Sequence, residues 1–188
     1  MLTMAQIPNV KVINASWINS CSFSAIQELV YKEIWEVHRV VTVFGAGNGS
    51  QHCGGGYAYP ASYDYTISVS SVGHHNPIGY VDTISGSNNW KDVHEEVVGD
   101  PTTTHQHNDK VDICAPGYNV LTTKDVNTYG GVWGTSFASP TIAGVCGLMY
   151  SANPCLSPNS IRDILKNTAD DIYNIPENQP YLGCYSPQ

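Results

Sequence analysis

Gly134-Thr135-Ser136-Phe137-Ala138-Ser139-Pro140, running into Thr141-Ile142-Ala143-Gly144-Val145, is the stretch whose reading decides the fold. A serine stands at a tight turn, ahead of a run with no charged residue from Gly134 to Met149. Gly134 permits a sharp turn, and Ala143, Gly144 and Gly147 predict a helix packed closely against its neighbours. Pro140 is predicted in the first turn, where a missing N–H is harmless. Ser136 then sits at the N-terminus of a buried helix, where free N–H groups and the helix dipole favour negative charge. A nucleophile that generates an oxyanion belongs there. The plainer alternative is an N-cap serine.

Upstream, Val40-Val41-Thr42-Val43-Phe44 is a continuous apolar run, as expected of a parallel strand covered on both faces. It ends in Gly45-Ala46-Gly47-Asn48-Gly49, a turn in which Asn tolerates left-handed geometry. Before it lies a predicted helix from about Ala25 to His38, with Ser24 and Gln27 as a capping box. Ile26, Leu29, Val30, Ile34 and Val37 form its apolar stripe. His38 at its end complements the helix dipole. Earlier still, Val10 to Trp17 reads as a β-branched strand. Strand, helix, strand at this spacing fits a right-handed βαβ unit, whose functional residues gather beyond the carboxyl ends of the strands. Further strands are predicted over Tyr65–Val72 and Tyr118–Thr123, and around Cys114. Ser157-Pro158 starts a last helix, with Ile161, Ile164 and Leu165 inward.

Gly-Thr-Ser-x-Ala-Ser-Pro followed by a small-residue helix resembles the nucleophile motif of the subtilisin-like serine proteases. The resemblance covers about residues 10–171, as a partial catalytic domain within 1–188. It implies an α/β fold of three layers, a mostly parallel sheet with helices on both faces. It makes Ser136 the nucleophile and puts the Asn48 amide in the oxyanion hole. It further implies that a peptide substrate pairs with Ser16-Trp17-Ile18 as an added strand, opposite Gly45-Ala46-Gly47. Trp17 reads equally well as a core aromatic. The chemistry requires no cofactor. In some relatives carbonyls near a Tyr-Pro segment, here at Pro60, and a carboxylate like Asp112 bind a structural calcium ion.

Two triad members are not found. The family's order is Asp, His, Ser, the first in an Asp-Ser/Thr-Gly turn and the second in a His-Gly-Thr-His helix start. Neither motif occurs, and none of the seven histidines has that context. The expectation is a fragment of a serine endopeptidase, incomplete at the N-terminus and short of a last strand and helix at the C-terminus, which is inactive alone. One chain of a two-chain assembly, or a non-catalytic remnant that binds a peptide or partner through the old cleft, are the other readings. The implied partners are a peptide or protein substrate and the missing N-terminal half.

The remaining features bound the class. Among 188 residues, 41% are hydrophobic and 13% charged, a globular balance. The net charge of −8 argues against nucleic acid and anionic membranes, and no run approaches transmembrane length. Met1–Val10 does not read as a signal peptide. Of six cysteines, Cys114 and Cys146 lie in apolar surroundings and are expected as free thiols. Cys21, Cys53, Cys155 and Cys184 are the disulfide candidates, which favours a secreted or extracytoplasmic setting. A polar insertion spans about 73–110 and holds His74, His75, His94, His105 and His107. A solvated loop with incidental histidines is the simplest reading. Metal ligation by His105 and His107, or a rim or lid of the site, are the others.

Overall fold

The computed structural model describes residues 1–49, 53, 56–73, 106, 108–118, 120–172 and 178–179. The insertion other than Gln106 and its last residues, and Cys184 with most of the tail, therefore lie outside the described residues. Four strands, β1 (Val12–Ala15), β2 (Val41–Gly45), β3 (Ile67–Val72) and β4 (Ile113–Pro116), form one parallel sheet in the order β1-β2-β3-β4. Val12 pairs with Val41, Val43 with Ile67, and Val69 with Ile113. A separate antiparallel hairpin joins β5 (Val120–Thr123) to β6 (Tyr129–Val132). The helices are α1 (Leu2–Ala5), α2 (Ala25–Glu36), α3 (Thr135–Ala152) and α4 (Pro158–Thr168).

Alternation along each strand divides the core in two, because successive side chains point to opposite faces. Val41, Val43, Ile67 and Val69 turn to the side of α3 and α4, where they meet Ala138, Ile142, Cys146, Ile161 and Leu165. Ile13, Ala15 and Phe44 turn the other way, to Tyr31 and Ile34 of α2 and to Tyr59 and Tyr63. The result is the expected α/β sandwich of three layers. Each large aliphatic chain fully buried in it contributes roughly 1.5–3 kcal/mol. Among the described residues, no helix is long and apolar enough to cross a membrane.

Several local expectations need correction. On α2 only part of the aliphatic stripe faces the core: Ile34 is buried and Val30 packs against it, but Ile26, Leu29 and Val37 are 79%, 64% and 70% exposed. Tyr31 and Trp35 are buried beside Ile34 in place of the exposed aliphatics. The aromatics win because they offer more area and specific contacts: Tyr31 meets the Phe44 ring edge-on at 5.6 Å, and Trp35 Nε1 donates to Asn159 Oδ1 at 2.7 Å. Ser24 does cap α2, accepting from Gln27 N, but the Gln27 side-chain oxygen accepts from Tyr63 OH at 3.1 Å. On α4, Ser157 caps Ser160 N and Ile161 and Leu165 are buried, while Ile164 remains 39% exposed.

On α3, Gly144 and Gly147 have open space where a Cβ would stand, and Leu148 is 72% exposed. The close packing expected of those glycines is absent among the described residues. Pro140 lies inside α3, beyond its first turn, so its missing N–H leaves the Ser136 carbonyl without a helical donor. The Ser16 hydroxyl supplies one, at 2.8 Å.

Candidate active site

The site forms where the carboxyl ends of β1 and β2 meet the start of α3. Chain reversal ahead of the helix requires glycine at 134, whose φ is +118°. A side chain there would also press on the Asn48 amide, 3.2 Å away. Gly45 serves close approach: a Cβ on it would lie 2.9–3.0 Å from Thr135 atoms. Together they let the turn after β2 and the turn before α3 interlock.

Asn48 is fixed through its oxygen. Oδ1 accepts from Thr135 N at 3.0 Å and from Thr135 Oγ1 at 3.1 Å, while Thr135 Oγ1 accepts from Gly47 N at 3.2 Å. With the oxygen occupied, the two N–H bonds of Nδ2 are the free end of the side chain. Ser136 is half-buried beside it, and its hydroxyl points toward the Ser16 carbonyl at 3.5 Å. Ser16 Oγ also shares a hydrogen bond with Ser139 Oγ at 3.0 Å. Ser16, Trp17, Ile18, Gly45, Gly47, Asn48, Thr135 and Ser136 line one cleft of about 140 Å³. A carbonyl within it could meet a serine hydroxyl and a preorganised amide donor together, the arrangement acyl transfer needs.

Most of the residues named from sequence thus meet in one place. Ala46 does not: it is buried against Val72 and Val111. Trp17 is no core residue, being 56% exposed on the cleft wall. Thr135 and Ser139 were missed as supports. Both stand in the motif, but their hydroxyl contacts span more than 80 residues of chain and leave no local signal. His38 is the one histidine among the described residues, and it lies at the end of α2 with Nε2 3.6 Å from Glu33.

The calcium candidates do not fit a cation. Asp112 accepts from Ser68 N at 2.9 Å and has Arg162 and Lys166 each 3.8 Å away. Burial raises the pKa of its carboxyl, against the pull of Arg162. The Pro60 carbonyl already accepts from Tyr63 N at 3.1 Å. Two positive side chains at the carboxylate and an N–H on the carbonyl disfavour a cation between them. Among the described residues no cluster of three acidic, His or Cys side chains could hold a metal.

Cys21 and Cys53 form a disulfide, joining the segment after the Ser16 wall to the segment after the Asn48 turn. Cys146 is a free buried thiol and Cys155 a free exposed one.

Comparison with known proteins follows the same lines. The chain is 36% identical over 140 residues to the halolysin-like extracellular serine protease Nep of Natrialba magadii, covering 74% of this chain and 21% of that protein. It is 32% identical over 162 residues to subtilisin DY of Bacillus licheniformis, covering 86% and 50%. It is 28% identical to subtilisin NAT of Bacillus subtilis subsp. natto, over 88% and 37%. The chain thus spans half or less of the length of these relatives. The model of the Subtilase family matches residues 2–182. By that match the chain belongs to the subtilase family.

Proposed function

We propose that this chain supplies the nucleophile and oxyanion hole of a serine endopeptidase. The observation that carries the reading is the anchoring of Asn48 Oδ1 on Thr135, which leaves Nδ2 as a donor beside Ser136. In this reading Ser136 Oγ attacks the scissile carbonyl while a histidine takes its proton. Asn48 Nδ2 and the Ser136 N–H hold the developing oxyanion, and the imidazolium then returns the proton to the leaving amine. The substrate backbone lies along Ser16-Trp17-Ile18. The histidine and its aspartate come from a segment bearing the triad motifs, which this sequence lacks, so the chain alone is inactive. Ser136 without a base is a weak nucleophile.

The Cys21–Cys53 disulfide supports an oxidising, extracytoplasmic setting. A second reading, peptide or partner binding without catalysis, is favoured by one contact: the described neighbour of Ser136 Oγ is the Ser16 carbonyl, which cannot take a proton. The test is labelling with a serine-directed fluorophosphonate, with Ser136→Ala as control. Slow labelling confined to Ser136 is expected. Modification only at other serines would remove Ser136 as nucleophile, and labelling at enzyme-like rates would mean a base within this chain.

A further inference from the structure

The cleft at Ser136 is small, and one side chain reaches across its floor. It encloses about 140 Å³, and a cavity of ~150 Å³ holds about one benzene ring. That space must take the carbonyl under attack as well as the side chain beside it. Ile18 projects from one wall toward the other: its Cδ1 lies 3.3 Å from where a Cβ on Gly47 would stand. The Ala58 methyl and the Gln106 Oε1 back the same point, at 3.5 and 3.4 Å.

Gln106 is held in place by its backbone. Its N–H donates to the Gly47 carbonyl at 2.9 Å, and its carbonyl accepts from Ser70 Oγ at 3.0 Å. Its side chain is fully buried, and among the described residues neither Oε1 nor Nε2 has a hydrogen-bond partner. None of the described residues lining the cleft carries a charge.

We propose that Ile18, backed by Ala58 and Gln106, restricts the cleft to substrates with a small, uncharged residue on the acyl side of the cleaved bond: glycine, alanine or serine. The inference rests on the endopeptidase reading above. A larger side chain meets Ile18 before it can settle beside Gly47. A charged one would be desolvated against an aliphatic wall and a neutral amide, with no counter-charge. Removing the Ile18 side chain opens the way toward Gln106 and admits larger residues.

The test uses three peptide aldehydes that differ only in the terminal residue, Ala, Phe or Lys, titrated calorimetrically into the chain reconstituted with the triad histidine and aspartate and into the same assembly carrying Ile18→Gly. On binding, Ser136 Oγ bonds to the aldehyde carbon, the carbonyl π bond breaks, and the hydroxyl proton passes to the former carbonyl oxygen. The Ala aldehyde is expected to bind the wild-type chain about tenfold or more tightly than the other two, the scale of a steric pocket. Ile18→Gly is expected to close the gap between Ala and Phe. Equal affinities for all three in the wild type would overturn the selectivity and leave the endopeptidase reading intact. No binding by any of them to the folded, reconstituted assembly would overturn that reading and this inference with it. Should Ile18→Gly fail to fold, the wild-type series decides by itself.

Discussion

The Ser16 hydroxyl donates to the Ser136 main-chain carbonyl at 2.8 Å, and that carbonyl is the one Pro140 leaves without a helical donor. A residue at the end of β1 thus completes the first turns of α3. The two substitutions are therefore coupled. Ser16→Ala is expected to cost about 1 kcal/mol, the usual scale for one intramolecular hydrogen bond. In a Pro140→Ala background, which restores the backbone N–H, the same change should cost less. Urea unfolding of the four proteins measures the coupling, and strict additivity would contradict it.

In the proposed mechanism Asn48→Ala removes one oxyanion donor. In a subtilisin the matching loss costs about 10²–10³ in kcat. A similar fall is expected here in enzyme reconstituted with the triad histidine and aspartate, with KM nearly unchanged because the bond strengthens in the transition state. Thr135→Val should reproduce part of that fall by releasing Asn48 Oδ1. Unchanged kcat in both variants would remove Asn48 from the site.

The disulfide ties residues 32 apart in sequence. Replacing Cys21 and Cys53 together by Ser should lower stability by about 2–4 kcal/mol, chiefly by freeing the unfolded chain. An unchanged urea midpoint would show that the link adds nothing to the fold.

Alkaline pH should weaken the fold. Burial pushes the Cys146 thiol and the Tyr31 and Tyr150 hydroxyls up to about 12, from 9.0 for the thiol and 10.0 for the phenols. Between those ordinary values and 12 the folded chain holds protons that the unfolded chain releases, so stability falls as pH rises through that window. Urea midpoints from pH 8 to 11 check the slope, and a flat profile would refute it. At pH 8 an alkylating reagent should modify exposed Cys155 and spare Cys146.

The sequence carried the layer order and the nucleophile turn because both are local: apolar runs, a glycine, a serine and a capped helix. Val41 and Val43, Ser157 and Ser24 behave as their immediate neighbours dictate. What escaped it depends on distant partners. The face of α2 was read correctly at Ile34 but rotated elsewhere, because Tyr31 and Trp35 are drawn inward by Phe44 and Asn159. Pro140 was misplaced by half a turn or more of helix because its tolerance depends on Ser16, 124 positions earlier. Gln106 gave no signal at all, since its position behind Gly47 is set by a backbone contact across 59 positions.

The Cys21–Cys53 link also makes a covalent ring that contains α2, β2 and the Asn48 turn. A single peptide-bond cut anywhere inside that ring releases no fragment; the molecule gains one water and stays whole. Two bands would appear on a gel only after reduction. In a preparation that contains active protease, nicked chains would therefore keep both walls of the cleft on one molecule, and their damage would be invisible to any sizing done without a reductant.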